Sequence, residues 1–212
     1  MLAPGVELND LRAFFEDLAE RWDAQQPPDR QAVLQGLLGP FADELGAARA
    51  ILEVGSGTGA LIPCLREHAP AARLISIDLA HAMLWRARQR CPDAALVQAD
   101  VHRLPFQRTG AFDLAVCHNS LPHFADVPAA LCELARVLAL GGRLLILHDL
   151  SRAEVNAIHG GVGPPVDHDL LPPGEEIRQM LIRAGFSDVQ VQDTEDHYVA
   201  VGVLARKPHL SG

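Results

Sequence analysis

The chain has 212 residues, enough for one domain with a substantial core. With 49% hydrophobic and 21% charged residues it reads as globular rather than disordered, and its net charge of -9 argues against a nucleic-acid backbone as the main partner. No apolar run reaches the roughly 18 residues that span a bilayer, and the opening MLAPGVELND lacks the features of a signal peptide, so a cytoplasmic protein without membrane contact is expected.

In chain order, Asn9 to about Ala24 reads as a helix, with Leu11, Phe14, Phe15, Leu18 and Trp22 at helical spacing. Pro27-Pro28 breaks it, and a second helix from Arg30 to Leu38 stops at Gly39-Pro40. These segments form an N-terminal helical cap, residues 1–45. In residues 46–212 strands and helices alternate. Ala50 to Val54 is a strand, followed by a helix from about Gly59 to His68. Arg73 to Ile77 is the second strand, with its helix at Ala82 to Arg90, and Leu96-Val97 is the third. Phe112 to Cys117 is the fourth. A helix from Val127 to Leu140 is ended by Gly141-Gly142, and Arg143 to His148 is the fifth strand. Such alternation means right-handed βαβ units and a parallel, doubly wound sheet. The end differs. A helix from Glu175 to Ala184 precedes two strands, Val189 to Gln192 and Tyr198 to Ala205. Their gap is shorter than the roughly dozen-residue crossover a parallel pair needs, so they are antiparallel. Cys64, Cys91, Cys117 and Cys132 form no CxxC pair and read as reduced, buried residues.

Glu53-Val54-Gly55-Ser56-Gly57-Thr58-Gly59 joins the first strand to its helix. Glycines let the backbone turn sharply and let a ligand approach where a Cβ would stand. Alone the motif is weak, because it also fits a dinucleotide-binding turn or a tight turn with no ligand. Asp78 strengthens it: an acid about 20 residues on, at the end of the second strand, can accept hydrogen bonds from ribose hydroxyls. Asp100 ends the third strand, where a carboxylate can accept from the amine of adenine. Acids at Glu53, Asp78 and Asp100 thus mark the carboxyl edge of the sheet, where open α/β sheets bind ligands.

The stretches ILEVGSGTG, ISIDLA, QADVHRLPF, FDLAVCHNSLPHF, LARVLALGGRLLI and LIRAGFSDVQV resemble the class I S-adenosylmethionine-dependent methyltransferases, especially the branch similar to the ubiquinone and menaquinone C-methyltransferases. The resemblance covers roughly Ala50 to Lys207. It implies a Rossmann-like sheet of seven strands with the last antiparallel, and S-adenosyl-L-methionine as cofactor. It further implies that Glu53, Gly55, Ser56, Gly57 and Gly59 face the methionine part. Asp78 would hold the ribose, Leu79 would pack on adenine, and Asp100 with Val101 would bind its edge. His118 and Asn119 would border the methionine group and the acceptor.

Methyl transfer from a sulfonium asks mainly for in-line positioning and exclusion of water, with a base only if the acceptor must lose a proton. His123, His148 and His159 are the candidates for catalytic work. After the fifth strand lies a lid insertion, residues 149–172. Ser151 with Glu154 is a capping box, so a short helix starts at Arg152. Arg152, Asn156 and His159 share one polar face, expected to close over the acceptor with His148 beneath it. A solvated helix face would carry the same pattern. Five of the ten histidines fall between His118 and His168, which keeps a metal site at His148, His159 and His168 open, although no tight ligand spacing appears.

The expected activity is therefore methyl transfer to a small-molecule acceptor. An NAD-type oxidoreductase shares the glycine turn and Asp78 but not the antiparallel end. A cofactor-binding regulatory protein and a metal-binding protein are further alternatives. Two Trp and one Tyr argue against an aromatic cage for a cationic acceptor. A homodimer is the base-rate expectation for assembly.

Overall fold

Among the described residues seven segments are strands: β1 (Ala50–Val54), β2 (Arg73–Asp78), β3 (Ala95–Gln98), β4 (Phe112–His118), β5 (Leu138–His148), β6 (Phe186–Asp193) and β7 (Tyr198–Leu204). The structure, a computed structural model, describes residues 8–107 and 109–208. The strands form one sheet in the order β3-β2-β1-β4-β5-β7-β6. β1 pairs in parallel with both β2 and β4, and β7 runs antiparallel to β5 and β6. The chain winds outward from β1 to β3, then returns to place β4 on the other side of β1. The strand order therefore reverses between β1 and β4, which opens a crevice at their carboxyl ends.

Alternating side chains of the central strands feed two cores. On one face Ile51, Val116 and Leu145 pack with Leu34, Leu38, Leu45 and Leu65 from α2 (Arg30–Leu38), α3 (Ala42–Ala47) and α4 (Ile62–His68). On the other, Leu52, Ala115 and Ile146 meet Leu131, Leu134, Ile177 and Leu181 from α6 (Val127–Val137) and α8 (Gly174–Arg183). Each fully buried Leu stabilises the fold by roughly 1.5–3 kcal/mol of apolar transfer. The N-terminal segment expected to be a cap divides. α1 (Leu8–Leu18) lies against α5 (His81–Arg90), through Leu18, Ala80 and Met83, while α2 and α3 belong to the helical layer of the core.

Four elements differ from expectation. α1 ends at Leu18 rather than near Ala24, and a separate 3-10 turn follows at Asp23–Gln25. α3 has no counterpart among the sequence-predicted elements. α4 starts at Ile62 rather than near Gly59, because the glycine turn runs on through Leu61. The helix expected to reach Leu140 ends at Val137, and Leu138 already pairs with Phe112. The cause lies far along the chain: the Lys207 ammonium donates to the carbonyls of Ala135 (3.0 Å), Arg136 (3.1 Å) and Leu138 and so caps the helix. Gly141-Gly142 instead makes a bulge within β5. Gly141 has φ +79°, and a Cβ on Gly142 would lie 3.0 Å from the Asp113 carbonyl.

α7 (Arg152–Val162) starts where the capping box places it, with Ser151 and Glu154 bonded reciprocally. No helix among the described residues is long and apolar enough to cross a membrane.

Candidate functional site

The chain leaves β1 and turns through Gly55 to Gly59, where Gly55 and Ser56 both donate N–H to the Ile77 carbonyl at 2.9 Å. The three glycines have φ of +70°, +52° and +78° but serve different neighbours. A Cβ on Gly55 would lie 2.4 Å from Ser120 Cβ, and one on Gly59 2.9 Å from Ala87 Cβ. These two glycines admit the loop after β4 and the helix α5. A Cβ on Gly57 would meet nothing within 4 Å, because it faces an open cleft at the carboxyl ends of β1, β2 and β4. That cleft is lined by Glu53, Gly55, Ser56, Gly57, Asp78, Leu79, Asp100, Val101, His118 and Asn119. Gly59 is the member of the sequence-predicted cofactor set that does not line it; its role is packing against α5.

The acids differ in their bonding. Glu53 is 2% exposed and accepts the Ser76 hydroxyl at 2.5 Å. Burial outweighs that bond and, with Asp78 nearby, pushes its carboxyl up to about 8. Asp78 accepts the N–H of Gly57 at 2.7 Å and of Ala80 at 2.9 Å, so it holds the glycine turn as well as facing the cleft. Burial again dominates and pushes it up to about 6. Asp100 is clamped by His102, whose Nδ1 lies 2.6 Å from Oδ1 while its Nε2 accepts the Asp126 N–H at 3.0 Å.

The roof was not legible in the sequence. Leu11, Phe15, Trp22 and Arg30 reach the cleft from the N-terminal segment. Asp23 accepts from Thr58 Oγ1 and Arg90 Nη2, each at 2.6 Å. Glu16 accepts from the N–H groups of His81 (2.7 Å) and Ala82 (2.6 Å), an N-cap that α5 lacks of its own. Arg30 opens α2 with Nε and Nη1 buried and without a hydrogen-bond partner. Burial lowers its guanidinium pKa, and the charges of Asp149 and Asp23 pull it back.

After β4, Asn119 adopts φ +49° and donates Nδ2 to Asp149 Oδ1 at 2.6 Å. His118 Nε2 sits 3.8 Å from Asp149 Oδ2, an electrostatic contact rather than a hydrogen bond. Burial would raise the Asp149 carboxyl, but His118 and Asn119 hold it well below the usual carboxylate range. His123 also lines the cleft, and its Nδ1 lies 2.7 Å from Asp169 Oδ2.

The lid is bound inward more than the polar-face expectation allows. Arg152 Nε donates to Asp193 Oδ2 at 2.8 Å, on β6. Asn156 pairs with the backbone of Leu171, accepting its N–H at 2.8 Å. His159 Nδ1 bonds the Asp169 carbonyl, and its ring lies 4.8 Å from that of His123. None of these three lines the cleft, because each bridges α7 to β6 or to the returning loop. His148 is 1% exposed, edge-on to Tyr198 at 5.9 Å, with neither ring nitrogen bonded. Burial, reinforced by His118, pushes it down to about 3, so it is a neutral core imidazole rather than a cleft base. His168 is exposed, and among the described residues no group of three or more His, Cys, Asp or Glu side chains is placed to hold a metal ion.

Residues 52–146 match the family described as methyltransferase domain. The chain is 31% identical over 204 residues to the malonyl-[acyl-carrier protein] O-methyltransferase of Geobacter sulfurreducens, covering 90% of this chain and 75% of that one. It is 42% identical over 105 residues to the demethylmenaquinone methyltransferase of Thermus thermophilus, covering 48% and 47% of the two chains. The fold is shared with a SAM-dependent methyltransferase from Aquifex aeolicus, at TM-score 0.67, 18% identity and coverage of 88% and 98%. It is also shared with human N-acetylserotonin methyltransferase in complex with SAM, at TM-score 0.62, 18% identity and coverage of 92% and 56%.

Proposed function

This chain belongs to the S-adenosylmethionine-dependent methyltransferases, and from that premise we propose that it methylates a small-molecule acceptor in the cleft at the carboxyl ends of β1, β2 and β4. The observation that carries the reading is where bonding capacity remains open. Six buried side-chain polar atoms lack partners among the described residues, and four of them, on Arg30, Ser56 and His118, belong to residues lining this cleft. Buried polar atoms without partners are costly, at roughly 1–3 kcal/mol each, so their concentration in the cleft that the open turn at Gly57 faces fits a polar ligand. The methionine carboxylate fits Arg30, and its ammonium fits Glu53. The ribose hydroxyls fit Asp78, adenine fits between Leu79 and Val101, and the adenine amine fits Asp100.

When bound, S-adenosylmethionine supplies a methyl group on a cationic sulfur, a good leaving group. The chain's residues then have three tasks. Arg30 and Asp100 would hold the two ends of the cofactor and Asp78 its ribose, so that the acceptor would meet it in line. Phe15, Trp22 and Leu11 in the roof exclude water. His118, Asn119 and His123 border the space left for the acceptor. The named relatives act on malonyl-[acyl-carrier protein] and demethylmenaquinone, which favours a small acceptor group while leaving its carrier open. Isothermal calorimetry tests the reading. Saturable binding of S-adenosylhomocysteine with no binding of NAD is expected. NAD binding without response to S-adenosylhomocysteine would overturn it.

A further inference from the structure

His123 closes the turn Leu121–His123 after β4, and Asp169 lies 46 residues further on, in the loop between α7 and α8. The Asp169 side chain is 6% exposed, and its Oδ2 is 2.7 Å from His123 Nδ1. A carboxylate accepts, so a neutral ring paired with it this way carries its proton on Nδ1 and its lone pair on Nε2. Nε2 has no partner among the described residues, and the ring lines the cofactor cleft. Its orientation is fixed from both sides, by Phe15 with centroids 4.9 Å apart and by His159 at 4.8 Å. The loop that carries Asp169 is itself held, by His159 on the Asp169 carbonyl, by Asn156 on Leu171 and by the buried Val166. The neighbouring imidazoles differ. His102 lines the cleft too, but both its ring nitrogens are bonded, to Asp100 and to the Asp126 N–H. His118 lines it with a buried Nε2 that has, among the described residues, no hydrogen bond and no carboxylate on Nδ1 to set its tautomer. His148 lies against Tyr198 away from the cleft, and His159 uses Nδ1 on the loop backbone.

We infer that His123 is the general base for an acceptor that arrives as a neutral hydroxyl, and that Asp169 is the positioning residue that sets its tautomer. The inference rests on the cleft being the methyl-transfer site. The acceptor O–H proton passes to Nε2. The oxygen lone pair forms the bond to the methyl carbon, while the methyl–sulfur bond breaks and leaves its electron pair on sulfur. The imidazolium, stabilised by Asp169, then returns its proton to solvent. Nothing is oxidised or reduced. An acceptor that arrives ionised, a thiolate or a carboxylate, would have no need of this pair.

The test uses the full chain, labelled with ¹⁵N-histidine and saturated with S-adenosylhomocysteine. The ring-nitrogen shifts of His123 should show Nδ1 protonated and Nε2 bare. In Asp169→Asn the amide can donate to the ring, and the proton should move to Nε2. This arm needs no acceptor. The second arm follows transfer of labelled methyl to phenol and catechol as neutral hydroxyls and to 4-nitrothiophenolate as an ionised probe. His123→Gln should lose at least about 100-fold on the hydroxyls and less than about tenfold on the thiolate. Asp169→Asn should lose in the same order, with partial recovery in Asp169→Glu. A wild-type ring protonated on Nε2, a tautomer unmoved by Asp169→Asn, or equal losses on both probe types would overturn the inference. Failure to bind S-adenosylhomocysteine at all would instead overturn the cofactor reading on which it rests.

Discussion

The two ends of the site are built on opposite plans. At the cofactor end, Glu53, Asp78 and Asp100 stand at or just past strand ends beside the open turn at Gly57, and Arg30 Nε and Nη1 and Ser56 Oγ are buried without hydrogen-bond partners among the described residues. At the lid end, Arg152, Asn156 and His159 are all committed inward, to Asp193, Leu171 and Asp169. The titrating groups diverge too. Burial pushes the carboxyls of Glu53 and Asp78 up to about 8 and about 6, and pushes the His148 imidazole down to about 3. One end is a socket waiting for polar groups. The other is a self-satisfied wall, with His123 joined to it through Asp169 and His159 while its ring lines the cleft.

The two ends should separate most widely at the glycines. Gly59→Val places a branched side chain at positive φ against Ala87 and should cost about 3–5 kcal/mol of stability in urea unfolding. Gly57→Val has open space, so it should lose only about 1–2 kcal/mol of stability yet fail to bind S-adenosylhomocysteine. Equal stability loss in both, with cofactor binding kept, would show that the open space at Gly57 is not the socket.

Next in size are the groups that bind. Arg30→Met and Asp78→Ala should each weaken S-adenosylhomocysteine by about 1–3 kcal/mol in calorimetry, because each removes a charged partner from a buried ligand group. Asp78 also gives a pH signature. Its carboxylate must be ionised to accept two ribose hydroxyls, so affinity should fall as pH is lowered through about 6, and Asp78→Asn should lose that slope. In the free protein the sign for stability is the reverse. A raised carboxyl holds its proton more tightly folded than unfolded, so its contribution is lost as pH rises from 3.8 through about 6.

His148 sharpens the contrast from the other side. Its pKa is depressed on folding, so stability is lost as pH falls from 6.5 towards about 3, where the unfolded chain gains a proton the folded one refuses. His148→Phe should therefore exceed wild type by about 2 kcal/mol at pH 5, with little difference at pH 7.5, in parallel denaturant melts. The smallest effect belongs to Arg152→Ala. A half-exposed pair with Asp193 contributes at most about 1 kcal/mol, and S-adenosylhomocysteine affinity should not change. A marked loss of affinity would mean that the lid face does reach the ligand.

What was legible in the sequence follows the range of the interactions. Strand-end acids, the glycine turn, the capping box at Ser151 and the antiparallel hairpin are signalled by residues within a few positions of one another. The same local logic misjudged α6, because its end is set by Lys207, 72 residues beyond Ala135. It missed Arg30 because an arginine at a helix start looks solvated until α2 is packed beside β4 and β5. The lid pattern misled for a related reason. A polar face at helical spacing tells which side chains point together, but the partners of Arg152 and His159 lie 41 and 10 residues on, in segments whose return path no local signal fixes.

The proposed place of the methyl donor is the cleft at the carboxyl ends of β1, β2 and β4, and a crystal structure with S-adenosylhomocysteine would test it. The ribose hydroxyls should lie within hydrogen-bond distance of Asp78, the carboxylate on Arg30, and the homocysteine chain over the bare Cα of Gly57. Density for the ligand elsewhere, or bound here with Asp78 and Arg30 making no contact to it, would contradict the account.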